Sequence, residues 1–304
     1  MPAPDLSEYE QPESTPSATP APSTRPPLPP TPVAPTSTTN RRQTTGLPRT
    51  NQRSPLHRPL LHAETLHIQT ALNSSGDLAD EVLRFGPDSV SRESLHTLKP
   101  GNWLTDEILH SYIGRLLHRH SLQAALLTTY RPSAYFKSFF MLTLLQEFSP
   151  DPRRNNIYNY ARVSRWHKRL PNEDLFQLQH LLIPINVNRS HWILTVIYPP
   201  DLRIQVYDPY HTPQPGYLHA TFRFVQDEYF RLHGTALPNH HQWTLQPNDT
   251  SAPQQSNGWD CGVFILAYAD CILRNTTPTF QEHDLLLYRQ WIALSLLEGA
   301  IPLG

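Results

Sequence analysis

The chain has 304 residues, a formal net charge of −1 and two cysteines. That length fits one domain of ordinary size plus a tail. The near-zero charge makes no demand for nucleic acid or an anionic membrane as partner, no apolar run is long enough to span a bilayer, and two cysteines cannot build a four-cysteine zinc site.

Residues 1–60 hold 15 of the 32 prolines, with abundant Ser and Thr. Such a composition buries too little apolar surface to offset chain entropy, so a disordered tail is predicted. Within it, Pro26-Pro27-Leu28-Pro29-Pro30 favours polyproline II and could dock on a WW or SH3 module, against the plainer reading as a spacer. With no apolar signal core after Met1, the two cysteines are expected as free thiols in a reducing, intracellular compartment. The sequons at Asn73, Asn188, Asn248 and Asn275 are then incidental. His240-His241 reads as a solvated loop rather than a metal site.

Residues 61–87 read as a transitional segment with a short helix over Asp77–Leu83, and residues 88–304 as the folded domain. Ser91 is a candidate cap for a helical turn through Leu95 and Leu98. From Thr105 or Asp106, an apolar stripe of Ile108, Leu109, Tyr112, Ile113, Leu116 and Leu117 predicts an amphipathic helix. A second apolar helix is expected around 138–148. Three strands follow between Leu181 and Asp208. A helix over 221–232 is expected to face the core with Phe222, Val225, Tyr229 and Leu232. Another over 283–297 closes the domain.

The chemistry concentrates in three places. The run from Gln254 to Gly262 sets Cys261 at the start of an apolar stretch, Val263 to Tyr268, that reads as a buried helix. A helix N-terminus stabilises a thiolate, and the thiolate is the nucleophile. A lone buried cysteine is ordinarily just a small hydrophobe, so a base and an orienter are needed to change that reading. His191 opens the second strand and Asp208 ends the third. In an antiparallel pair turning at Tyr198–Asp201, those two ends meet at one edge of the sheet. There an aspartate holds an imidazole in one tautomer and stabilises its charged form. Gln255, just upstream of the cysteine, is a candidate donor to the oxyanion of a tetrahedral intermediate.

This constellation resembles the SUMO-specific, Ulp-type cysteine proteases, relatives of the adenovirus protease. The family's chain order His, Asp, Gln, Cys matches His191, Asp208, Gln255 and Cys261. Its His-Trp pair matches His191-Trp192, its strand-terminal Tyr-Asp matches Tyr207-Asp208, and its Pro-Gln-Gln-x-Asn-Gly-x-Asp-Cys-Gly loop matches Pro253 to Gly262. Its helix-opening Trp-Leu-x-Asp-Glu matches Trp103 to Glu107. The resemblance covers about residues 88 to 298. Trp259 departs from it, standing where those proteases usually carry a small residue, and a bulky ring there would narrow or reshape the cleft.

The resemblance implies an α+β fold of the papain-like Ulp/adenain type, a central, mostly antiparallel sheet flanked by helices. It implies thiol proteolysis after the Gly-Gly tail of a ubiquitin-like modifier, SUMO first, in precursor processing and deconjugation, with placement in the nucleus or cytoplasm. Cys261 would be the nucleophile, His191 the base, Asp208 its orienter and Gln255 the oxyanion donor, with no metal and no cofactor. Trp103 and Trp192 would sandwich the tail so that only glycine passes. Asp106 would pair with a basic residue of the modifier, or simply favour its helix N-terminus. The partners expected are SUMO or another ubiquitin-like protein and its conjugates, with neither nucleic acid nor membrane. Alternatives are a Nedd-type modifier, a viral or transposon-type polyprotein, an acyltransferase on the related fold, and a non-catalytic binder of modifiers.

Overall fold

Alternating apolar residues in three consecutive strands decide the architecture. The computed structural model describes residues 58–124, 130–299 and 301. The predicted disorder over most of residues 1–60 and the polyproline run Pro26 to Pro30 lie outside the described residues. Strands β4 (His180–Val187), β5 (His191–Tyr198) and β6 (Arg203–Tyr207) pair antiparallel in succession. β3 (Ser133–Tyr135) and β7 (Thr244–Gln246) add to the two edges in parallel, giving a mixed sheet of order β3-β4-β5-β6-β7.

Successive side chains of a strand face opposite ways, and here both faces are covered. Leu182, Leu194 and Val196 join one apolar core, while Leu181, Ile183, Ile193 and Ile197 join the other. The first core is completed by helices α3 (Asp106–Ala124), α6 (Cys261–Leu273) and α7 (Leu285–Glu298). The second contains residues of α4 (Phe139–Leu144) and α5 (Pro215–His233). This is the expected α+β layering.

Each helix starts where its residues permit. Ser91 caps a short helix over Arg92–His96 by accepting from the Ser94 N–H, as its sequence position suggests. α3 buries Ile108, Leu109, Tyr112, Ile113 and Leu116 along one stripe. α6 is apolar all round and buried at every one of its 13 positions, as a helix with no polar face must be. α7 matches the closing helix.

Three expectations are corrected. Asp77–Leu83 is not a helix: residues 81–85 form β1 (Glu81–Phe85), hairpinned to β2 (Asp88–Ser91). Gly86, at φ +56°, opens the two-residue loop between them, where primed hairpin turns require a positive φ. α4 stops at Leu144 rather than 148, because Gln146 and Phe148 adopt left-handed backbone at φ +53° and +57°. α5 begins six residues earlier than expected, with Pro215 in its first turn, and ends on Gly234 at φ +68°. Its buried face is Leu218, Thr221, Phe224, Val225 and Glu228, with Phe222 and Tyr229 only partly buried beside it.

Residues 61–87 carry more structure than a transitional label suggests. A helix α1 (His62–Leu72) buries Ile68 in the first core. Arg58 lies over the Trp291 ring of α7 at 4.5 Å, and its carbonyl accepts from Trp291 Nε1 at 3.3 Å.

Candidate active site

The site assembles at the edge of the sheet where β5 begins and β6 ends. The last pair in that ladder is Leu194 with Tyr207, so His191 at the start of β5 and Asp208 just past β6 emerge together. His191 Nε2 and Asp208 Oδ1 are 2.8 Å apart. Asp208 is buried and accepts two further bonds: Oδ1 also accepts the Tyr210 N–H at 2.8 Å and Oδ2 accepts Gln214 Nε2 at 3.0 Å. Burial pushes the carboxyl up, but the bonds from His191, Gln214 and the Tyr210 N–H outweigh it and hold the pKa below the ordinary aspartate value.

Cys261 occupies the first position of α6 and is 3% exposed. The opening N–H groups of a helix have no partner within it and point outward as anion donors. With Nε2 committed to Asp208, the other ring nitrogen of His191 is left for the thiol. Burial of the imidazole disfavours its charge. Hydrogen bonds to Asp208 and Cys261, with the charges of both, reverse that and push its pKa up to about 9. Histidine therefore carries its proton near neutral pH, poised to give it to a leaving amine. The second cysteine, Cys271, is buried ten residues on, and burial pushes its thiol up to about 12. The helix thus holds one thiol at the histidine and one inert thiol.

The loop before Cys261 is braced from below. Glu282 accepts the N–H groups of Ser256 and Asn257 at 2.9 and 3.1 Å and the Asn257 amide at 2.7 Å. Asn257 Oδ1 in turn accepts the N–H groups of Trp259 and Asp260, each at 3.0 Å. Asp260 is paired with the buried Arg289 of α7, Nε to Oδ1 at 2.8 Å. The same guanidinium donates to Thr97 O at 2.9 Å and Asn102 O at 2.7 Å, so one side chain ties the loop before Cys261 to the segment leading into Trp103.

Gln255 lies in this loop, 3% exposed. Its Nε2 donates to Asn257 O at 2.7 Å and lies 3.4 Å from the Tyr210 hydroxyl. Its amide is thus engaged within its own loop, and its Oε1 is buried without a partner among the described residues. Trp192 is 5% exposed and donates to Leu104 O at 3.0 Å. Trp103 is 52% exposed and donates to Gly258 O at 2.7 Å. Asp106 is exposed at the first position of α3. Trp259 is 41% exposed beside the nucleophile's loop, so its ring is a surface feature and not core packing. No cluster of metal-ligating side chains occurs among the described residues.

Sequence reasoning missed Tyr210, Gln214, Asn257, Glu282 and Arg289. For Tyr210 a signal existed: Asp208-Pro209 favours a turn, which folds the next residue back onto the site. Gln214, Glu282 and Arg289 reach it through tertiary packing that no local pattern reports.

The fold is that of the Ulp-type cysteine peptidases. The chain belongs to the Ulp1 protease family, since the model of that family's C-terminal catalytic domain matches residues 102–298. Among curated relatives it is 30% identical over 214 residues to the human sentrin-specific protease 2, covering 68% of this chain and 32% of that protein. It is 28% identical over 202 residues to a Caenorhabditis elegans sentrin-specific protease, covering 66% and 26%, and 29% identical over 233 residues to the Arabidopsis thaliana ubiquitin-like-specific protease 1A, covering 76% and 41%. The matched segment thus spans well under half of each relative. Among solved structures, the Ulp1 protease domain in complex with Smt3, the yeast orthologue of SUMO, superposes with a TM-score of 0.64 at 23% identity, covering 82% of this chain and all of that one. The catalytic domain of the Chaetomium thermophilum Ulp1-like SUMO protease gives 0.63 at 24% identity, covering 82% and 95%. These likenesses establish the fold.

Proposed function

We propose that this chain hydrolyses the bond following the C-terminal Gly-Gly of a ubiquitin-like modifier, SUMO first, both in precursors and in lysine conjugates. The observation that carries the reading is the His191 ring, held by Asp208 at 2.8 Å, with its charged form favoured by Cys261 at the N-terminus of α6. His191 takes the thiol proton, and the Cys261 thiolate attacks the glycine carbonyl carbon. The oxyanion that forms meets the free N–H groups opening α6, with Gln255 as the side-chain donor once its amide turns from Asn257. His191 gives its proton to the leaving amine, the C–N bond breaks, and a thioester remains. Water, deprotonated by His191, then cleaves the thioester and regenerates the thiol. No step needs a metal or cofactor.

Trp192 forms a fixed wall beside His191, and Trp103 the exposed wall opposite, for an extended glycine tail. Asp106, exposed at the first position of α3, is the acidic group for a basic residue on the modifier. Membership of the Ulp1 family and the SUMO-bound relative support SUMO as partner.

The test is incubation of the wild type and Cys261→Ser with SUMO, a Nedd-type modifier and ubiquitin, each ending in a vinyl sulfone. A covalent SUMO adduct on wild type alone is expected. An adduct confined to the Nedd-type modifier would reassign the partner, and adducts on Cys261→Ser would displace the nucleophile. Replacing the penultimate glycine of a SUMO precursor by alanine should block cleavage.

A further inference from the structure

Tyr210 touches His191, Asp208 and Gln255 without belonging to the proposed machinery. Its ring stacks on the His191 imidazole, centroids 4.8 Å apart and planes 27° from parallel. Its backbone N–H donates to Asp208 Oδ1 at 2.8 Å. Its hydroxyl donates to Asn257 O at 2.8 Å, the same carbonyl that accepts Gln255 Nε2. Beside it, the Gln255 N–H donates to Pro209 O at 2.8 Å. Yet the side chain is 40% exposed, so packing alone does not account for so many contacts.

We propose that Tyr210 is a positioning residue that fixes the plane of the His191 imidazole and locks it to the Gln255–Asn257 loop. The inference rests on the reading of His191 as the general base. One hydrogen bond to Asp208 anchors one corner of the imidazole but leaves the ring able to swing about that contact. The torsion at the ring is broad and roughly two-fold, so it gives little restraint of its own. A flat aromatic face laid parallel removes that freedom. Because the hydroxyl of the same ring is tied to the loop preceding Cys261, base and oxyanion loop move as one unit. Displacing a reacting group by about 1 Å can cost on the order of 100-fold in rate.

The experiment compares wild type, Tyr210→Phe, Tyr210→Leu and Tyr210→Gln on two readouts. One is steady-state hydrolysis of SUMO carrying aminomethylcoumarin on its C-terminal glycine. The other is alkylation of Cys261 by iodoacetamide at pH 6.5, which needs the imidazole in place but no modifier. Cys271, buried with its thiol pushed up to about 12, stays silent in it. Tyr210→Leu and Tyr210→Gln should lower kcat roughly 10- to 100-fold, leave KM within about twofold and slow alkylation about tenfold. Tyr210→Phe keeps the ring and should rescue alkylation to within about threefold of wild type. If the whole effect of the non-aromatic variants lies in KM with alkylation unchanged, Tyr210 is a substrate contact and the proposal fails. It fails equally if both readouts stay at wild-type level, or if neither non-aromatic variant folds, which would make the role structural. Turnover surviving in a Cys261→Ser control would instead overturn the catalytic reading itself.

Discussion

A histidine that keeps its proton to about pH 9 is the residue-scale signature of this site, and it has consequences for both rate and stability. The alkaline limb of kcat/KM should have its midpoint near that value, where the imidazolium needed by the leaving amine is lost. Asp208→Asn removes a charge that raises the His191 pKa, so the limb should move toward the ordinary histidine range, read from a pH–rate profile. For stability, the folded pKa lies above the ordinary histidine value of about 6.5. The stabilisation is therefore fully present below about pH 6.5 and is lost as pH rises through about 9. Urea midpoints measured across that window should fall for wild type and fall less for His191→Gln. Three of these residues were legible in the sequence, since His191 and Asp208 are fixed by strand ends and Cys261 by a helix start. Tyr210 was missed, although Asp208-Pro209 marks the turn after β6 that brings it back over the imidazole.

At the scale of elements, the N-terminus of α6 is held by a contact that leaves little room for a side chain. A Cβ added at Gly262 would lie 3.0 Å from Leu104 Cβ and 3.3 Å from Trp192 Cδ1. Gly262→Ala should therefore push α6 from the strand carrying His191, costing about 1–3 kcal/mol and most of the activity, as measured by urea unfolding and by hydrolysis of a SUMO precursor. Arg289 holds the same junction from α7. Replacing it by leucine leaves Asp260 buried and unpaired and strips carbonyls at residues 97 and 102 of their donor. About 3–5 kcal/mol should be lost, with Arg289→Lys intermediate, since an ammonium cannot reproduce the guanidinium fork. The long apolar helices α3, α6 and α7 were readable because burial dictates their pattern. The β1–β2 hairpin was misread because Asp77–Leu83 has few residues to separate the two periods, and the pairing that decides it comes from residues 88–91.

For the molecule as a whole, the useful boundary lies before Arg58. Removing residues 1–57 should leave the thermal midpoint and turnover of a SUMO precursor nearly unchanged, since their composition offers little apolar surface to bury. Extending the deletion through residue 72 removes α1, which packs Ile68 into the core and sits against α7. Burying one such side chain is worth about 1.5–3 kcal/mol, so the midpoint should drop by several degrees in a thermal melt. The sequence placed the folded domain from residue 88 because α1 has only a faint amphipathic pattern. Its docking depends on α7, more than two hundred residues away.

The spacing of the two thiols fixes how the protein meets an oxidant. Ten residues along an α-helix separate Cys261 from Cys271 by about 15 Å, more than twice the roughly 7 Å beyond which a disulfide cannot close. The chain has no other cysteine, so a sulfenic acid formed at Cys261 finds no resolving thiol within the molecule. Peroxide should add one, two and then three oxygens at Cys261, with no loss of two hydrogens, as read by intact mass. Dithiothreitol should recover activity only from the first of these states, which leaves protection of the oxidised protein to thiols in its surroundings.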